Sequence, residues 1–281
     1  MSQPSPDLLA MLQRLDETID PSLLMSRYLQ KMDASTEPVV DDWQRNLLNS
    51  PRGRVIFALC SRQVGKSTAA SVLGASELAA GRQSVIVAKT LRQAELILKK
   101  VVHVYSLIEG AKPFKRQTLT ELETEDATLV CVAAGTDGGS ARGFTVNGLL
   151  LFDEACFFEG GDATFRALMP LAHHDKGART VFLSTPGHRD AFASRVWLDP
   201  DGAYRHVHRI TARSVDIPRM AAYVAEQKRA MPPADFEVEH GLAWRGDGRP
   251  YFDQQTIDDA FKGIPPLEFA GDIFHGTNLS S

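Results

Sequence analysis

Between residues 55 and 185, short apolar runs alternate with longer stretches in which apolar and polar residues recur at helical spacing. The runs are VIFALC (55–60), SVIVAK (84–89), TLVCVAA (128–134), GLLLF (148–152) and TVFLST (180–185). Each places Val, Ile, Leu or Phe on successive positions, the pattern of strands covered on both faces. Helices are predicted between several of them, at 66–80 and 90–108. Strands alternating with helices predict a three-layer α/β sandwich around a mostly parallel sheet. TLTELETEDATLVCVAA (118–134) departs from that rhythm and predicts a β-hairpin, with acidic turn residues between two strand-like arms.

Outside this core, Leu8, Leu9, Met11, Leu12 and Leu15 stand near helical spacing and make residues 1–38 a helical lead-in, ended by Pro38. GTDGGSARGF (135–144) is a glycine-rich loop without periodicity. Residues 214–245 predict a helix, a break at Met231, Pro232 and Pro233, and a second helix. The expected division is a lead-in (1–38), a core (39–210), a lid and closing segment (211–262) and a tail (263–281).

Composition narrows the class only a little. Hydrophobic content of 43% and charged content of 23% are those of an ordinary globular chain. No apolar run reaches the roughly 18 residues of a membrane span, and the start lacks the basic and apolar regions of a secretory signal. The three cysteines show no CxxC spacing and read as reduced, buried thiols, so a cytoplasmic location without membrane contact is expected. A net charge of −4 gives nucleic acid no compositional support, and the basic clusters KPFKR (112–116) and YRHVHRITAR (204–213) read first as solvated faces.

The chemistry concentrates after the first strand. VIFALC, then SRQVGKST, then AASVLGASELAA gives strand, loop and helix around Gly65, Lys66 and Ser67. This is the context in which backbone N–H groups and a helix N-terminus cradle phosphates. Ser61 to Thr68 (Ser61, Arg62, Gln63, Val64, Gly65, Lys66, Ser67, Thr68) are the candidate ATP-binding residues. Lys66 would reach the β- and γ-phosphates, and Ser67 would offer its hydroxyl to Mg²⁺. The glycine usual five positions before Gly65 is Cys60, and Arg62 adds a cation inside the loop. GLLLFDEA ends an apolar strand on Asp153, suited to Mg²⁺, and Glu154, suited to polarising the attacking water. Ser184 and Thr185 end a third strand where they would contact the γ-phosphate. Arg142, in the glycine-rich loop, is placed to act as an arginine finger. Trp43 and Gln44 in DDWQRNLL (41–48) are candidates for the adenine. His173 and His174 have no third ligand at zinc-like spacing, and no GxSxG is present.

Taken together, these motifs resemble the N-terminal ATPase domain of the large terminase subunit of tailed bacteriophages. SRQVGKST is similar to that family's variant phosphate loop, DDWQRNLL to its adenine segment, and LLLFDEA to its metal and base motif. STPG resembles its coupling motif, and SARGFT the loop proposed to carry a trans-acting arginine. FEVEHGLAWRGDGRPYFDQQTIDDAF (236–261) is similar to the passage that closes the ATPase half. The resemblance implies a P-loop NTPase of the RecA-like, ASCE type with a small lid, using ATP and Mg²⁺ to move double-stranded DNA into a procapsid. It implies as partners other copies in a ring (a pentamer on the portal), the portal protein and the small terminase subunit, in the bacterial host cytoplasm. The family continues into a nuclease domain; about twenty residues follow position 261 here, and Asp272 alone cannot build a two-metal site, so DNA cleavage is not expected of this chain. Two other readings stand beside it: a helicase-like translocase, which needs a second RecA-like sheet, and a non-catalytic nucleotide-binding remnant of a prophage.

Overall fold

The computed structural model describes residues 20–135, 144–158, 161–189, 191–244 and 262. The leucines of the lead-in, the glycine-rich loop with Arg142, and the segments 245–261 and 263–281 lie outside the described residues. Eight strands form one sheet in the order β3-β4-β5-β2-β6-β7-β1-β8. They are β1 (Val55–Cys60), β2 (Ser84–Ala88), β3 (Arg116–Gln117), β4 (Glu121–Glu123), β5 (Thr128–Ala133), β6 (Leu149–Asp153), β7 (Arg179–Ser184) and β8 (His208–Ala212). The six strands from β5 to β8 in that order run parallel, and β3 and β4 add an antiparallel edge, so the predicted hairpin is β4–β5.

The helices are α1 (Pro21–Met32), α2 (Asp42–Leu48), α3 (Lys66–Ala79), α4 (Leu91–Tyr105), α5 (Gly161–Leu168), α6 (Phe192–Leu198), α7 (Ala221–Ala230) and α8 (Pro233–Glu239). Alternate residues of each central strand enter different cores, which is why those strands read as unbroken apolar runs. Ile56, Ala58 and Cys60 of β1 pack with α1 to α4, while Phe57 and Leu59 face the opposite layer with Phe165 of α5 and Val196 of α6. In that second core Phe57, Phe152 and Phe182 stack with ring centroids 5.3–5.4 Å apart, and Phe165 meets Phe152 at 4.8 Å. Removing one such buried ring costs about 3–5 kcal/mol.

The basic clusters were expected to be solvated faces, and the second is not. Within YRHVHRITAR, residues 208–212 form β8, parallel to β1, with Ile210 and Ala212 turned inward. Arg209 donates to the carbonyls of Val196, Trp197, Asp199, Tyr204 and Val207, so its charge locks an edge strand. The outward charges hid the inward alternation. In KPFKR, Lys112 pairs with Asp126 at 2.5 Å and Arg116 with Glu121 at 3.4 Å, both from the hairpin beside it. The helix break at Met231 and Pro232 falls between α7 and α8, as the proline predicts.

Candidate active site

In the sheet, β7 lies between β1 and β6, so the phosphate-type loop after β1 faces the acids after β6 across the end of β7. That arrangement opens a cleft at the carboxyl ends of the parallel strands, where open α/β sheets hold ligands. Arg62, Gln63, Gly65, Lys66, Ser67, Thr68, Glu154 and Thr185 line it, around about 520 Å³ of space.

The loop takes left-handed backbone at Gln63 (φ 62°) and Gly65 (φ 98°), and not at Cys60. Alternating handedness turns successive N–H groups inward to make an anion nest. Among the described residues the N–H groups of Gln63, Val64, Gly65, Lys66 and Ser67 find no backbone acceptor. Cys60 is the last residue of β1, fully buried, and burial pushes its thiol pKa up. A side chain is tolerated there because that position does not take positive φ and its thiol is packed in the core. Gly65 needs both its φ and its bareness, since Gln44 Nε2 stands 2.7 Å from where a Cβ would be.

Lys66 is buried and its ammonium lies 3.3 Å from both the Ser61 carbonyl and Glu154 Oε1. Glu154 itself has left-handed backbone (φ 56°, ψ 41°), a conformation non-glycine residues adopt at a cost of order 1 kcal/mol. Its Oε2 accepts from Thr185 Oγ1 at 3.2 Å and Thr185 N at 3.4 Å. One carboxylate therefore joins the loop, the end of β6 and the end of β7.

Asp153 is buried beside it, and its Oδ1 has no hydrogen-bond partner among the described residues. Burial, together with the charge of Glu154 and against that of Lys66, raises its pKa to about 7. An orphaned, buried carboxylate oxygen fits a cation, and the Ser67 hydroxyl lines the same adjoining cavity of about 420 Å³.

Several expected site residues are positioned differently. Ser184 was expected at the γ-phosphate beside Thr185; it is fully buried, accepting from Cys156 N at 3.1 Å and donating to the Thr185 carbonyl at 2.8 Å, so Thr185 alone of the pair reaches the cleft. Ser61 is also fully buried, its hydroxyl donating to the His240 carbonyl and accepting from Ser214 N. Trp43 packs in the core and faces a separate groove with Thr211 to Pro218, away from the phosphate loop. Gln44 does approach the loop, but its Oε1 accepts from Asp41 N at 2.9 Å and its Nε2 donates to the Val64 carbonyl at 3.2 Å, so its amide braces the loop. Arg62 is turned outward onto Glu239 of α8 at 2.5 Å.

Sequence reasoning missed Arg219, whose guanidinium grips the Asp41 carboxylate and donates to the Val64 carbonyl at 3.2 Å. Its contact joins positions too distant in sequence for any local pattern to reveal. Lys89, Gln93 and Lys100 also line the cleft. Lys89 had a legible signal, being the first residue after a parallel strand.

A family profile described as the terminase large subunit, T4likevirus-type, N-terminal, matches residues 57–258. The chain belongs to this terminase family. The curated terminase large subunit of Escherichia phage T5 is 26% identical over an alignment of 212 residues that covers 70% of this chain and 47% of that protein. The chain thus spans about half the length of the curated relative it matches. The large terminase ATPase domain of Thermus phage P74-26 superposes with a TM-score of 0.60 at 21% identity, covering 74% of this chain and 94% of that one. The large terminase of another thermophilic bacteriophage, in complex with ADP, superposes at 0.58 and 12% identity, over 73% of this chain and 54% of that one. These likenesses agree with the terminase fold: the sheet is mixed, mostly parallel, and covered by helices. Among the described residues no helix is long and apolar enough to cross a membrane.

Proposed function

We propose that this chain is the ATP-hydrolysing motor domain of a DNA-packaging terminase, coupling Mg-ATP hydrolysis to movement of double-stranded DNA into a procapsid. The observation that carries this reading is the contact of Glu154 with Lys66 on one side and Thr185 on the other, beside the orphaned Asp153. In the resting site Lys66 neutralises Glu154. An arriving γ-phosphate competes for the ammonium, and the freed carboxylate then accepts a proton from the attacking water. The nest from Gln63 to Ser67 binds the β- and γ-phosphates. Ser67 and Asp153 would hold Mg²⁺, which would supply charge neutralisation at those phosphates. The base lies along the groove where Val39, Gln44, Gly65 and Thr68 meet α1. Thr185 carries the change at Glu154 into β7, and Arg62 exchanges Glu239 for phosphate as α7 and α8 move. Arg142 acts from a neighbouring copy in a ring on the portal, with the small terminase subunit presenting DNA, in the host cytoplasm.

The test is steady-state ATP hydrolysis by wild type and Glu154→Gln, with and without Mg²⁺. Hydrolysis that requires Mg²⁺ and falls by about 10²–10⁴-fold in the variant is expected. Equal rates in the two proteins would remove Glu154 as the base, and no hydrolysis by wild type at any protein concentration would favour the non-catalytic reading.

A further inference from the structure

The cleft holds more positive charge than binding and hydrolysis of the nucleotide have so far used. Its cations are Arg62, Lys66, Lys89 and Lys100. Arg62 is paired with Glu239 and Lys66 with Glu154. Among the described residues no ion pair within 4.0 Å involves Lys89 or Lys100. Lys100 is nonetheless half-buried. Its charge acts on Asp153, with which it lines a cavity, but at a distance that leaves the ammonium free to take a further anion from the cleft.

The fold aims both lysines from one flank. The last β2–β6 pair is Val87 with Phe152, so two residues further on Lys89 comes level with Glu154. On α4, which a Thr90–Gln93 capping box starts, Gln93, Ile97 and Lys100 share one face. Ile97 anchors that face in the core, while Gln93 and Lys100 reach the cleft. In the sheet β6 and β7 separate β2 from β1, while α4 packs on α3, so Lys100 shares a cavity with Ser67, Asp153 and Glu154.

Direction matters because phosphoryl transfer is in line. The γ-phosphorus leaves its ADP oxygen and moves toward the attacking water. That water sits by Glu154, on the β6 side of the loop, so the new phosphate emerges toward β2 and α4. We propose that Lys89 and Lys100, on the β2–α4 flank of the cleft, form a second phosphate subsite which takes the inorganic phosphate that hydrolysis releases. The inference rests on the ATPase reading above. The lysines make and break no bond; ATP and water give ADP, phosphate and a proton, and two ammonium groups match the charge of the dianion.

The subsite is tested by inhibiting ATP hydrolysis with added inorganic phosphate, in wild type, the Lys89→Gln/Lys100→Gln double variant, and Lys100→Arg. The phosphate inhibition constant should rise about tenfold in the double variant and stay near wild type in Lys100→Arg, with ADP inhibition within about twofold throughout. Unchanged phosphate inhibition in the double variant overturns the proposal. So does weaker binding of duplex DNA with phosphate inhibition intact, which would give the lysines to the DNA backbone. Calorimetric titration of inorganic phosphate into the ADP-loaded proteins reads the same subsite without turnover. Should wild type fail to hydrolyse ATP, the activity reading falls, and the calorimetric comparison still decides whether the subsite exists.

Discussion

At the amino end of α3, Lys66 lies 3.3 Å from a single carboxylate at the edge of an open cleft. At its far end, about 16 Å along the axis, Glu77 is fully buried and accepts from Arg52, Arg82 and Arg179. Burial alone would raise the Glu77 pKa, but the three arginines outweigh it and hold the carboxyl below its usual range. Arg179 also donates to the carbonyls of Leu48 and Ser50, so this cluster ties α3 to β7 and to the chain leading into β1. The Asp153 carboxyl, by contrast, is pushed up to about 7 and keeps an unpartnered oxygen. One helix thus carries a carboxylate closed by three arginines at the amino ends of the strands, where Arg179 Nε alone of those groups stays unpartnered, and borders a carboxylate left incomplete at their carboxyl ends. Incompleteness is what leaves room for a ligand; closure gives the frame that holds it.

Exchanging a carboxylate for an amide at each end should separate the two roles most sharply. Glu77→Gln leaves buried guanidinium groups short of their anion and should cost about 3–5 kcal/mol, a fall in melting temperature of roughly 10 °C, with turnover per folded molecule preserved. Glu154→Gln should leave melting nearly unchanged while turnover collapses. A thermal melt and an ATPase assay on both variants check the crossing; equal melting losses would erase the contrast.

The two ends should also answer pH with opposite sign. Glu77, held below its unfolded pKa, contributes stability above that value that is lost as pH falls. Asp153, raised to about 7, binds a proton more tightly folded than unfolded, so stability falls as pH rises from about 4 to about 7. Asp153→Asn should therefore stabilise the nucleotide-free protein at pH 8 and do little at pH 4, as melts across that range would show. A smaller effect is expected from Arg219→Ala, which frees the Val64 carbonyl and Asp41 from the 3-10 turn Pro218–Met220 that precedes α7: a several-fold rise in KM for ATP with kcat little changed. Smallest is Cys60→Gly, which restores the usual loop glycine at a loss of about 1–2 kcal/mol in packing and backbone entropy, and with ADP affinity in calorimetry unaltered.

The incomplete end was the legible one. Gly65, Lys66, Ser67, Asp153 and Glu154 sit where strands end, and the strand pattern locates them. The closed end was invisible, because Arg52, Glu77, Arg82 and Arg179 come from four separate places and none breaks a local pattern. Trp43 and Gln44 show the intermediate case. Their segment was expected at the adenine, and Gln44 instead holds the loop, because residue type alone does not say whether an amide faces a base or a backbone carbonyl. The edge strand β8 was lost for a similar reason, since its outward arginines and histidines outweighed two inward apolar residues.

The approach of Gln44 to Gly65 has a consequence for how such a loop can change through time. The amide fills the volume that any side chain at 65 would require, and it also holds the Asp41 N–H and the Val64 carbonyl. A substitution at either position is therefore felt at both, so the helix before the first strand and the loop after it must vary as one inherited unit. In a copy drifting without selection, the parting of these two residues would be an early mark of decay, readable from sequence while Lys66 and Glu154 still stood.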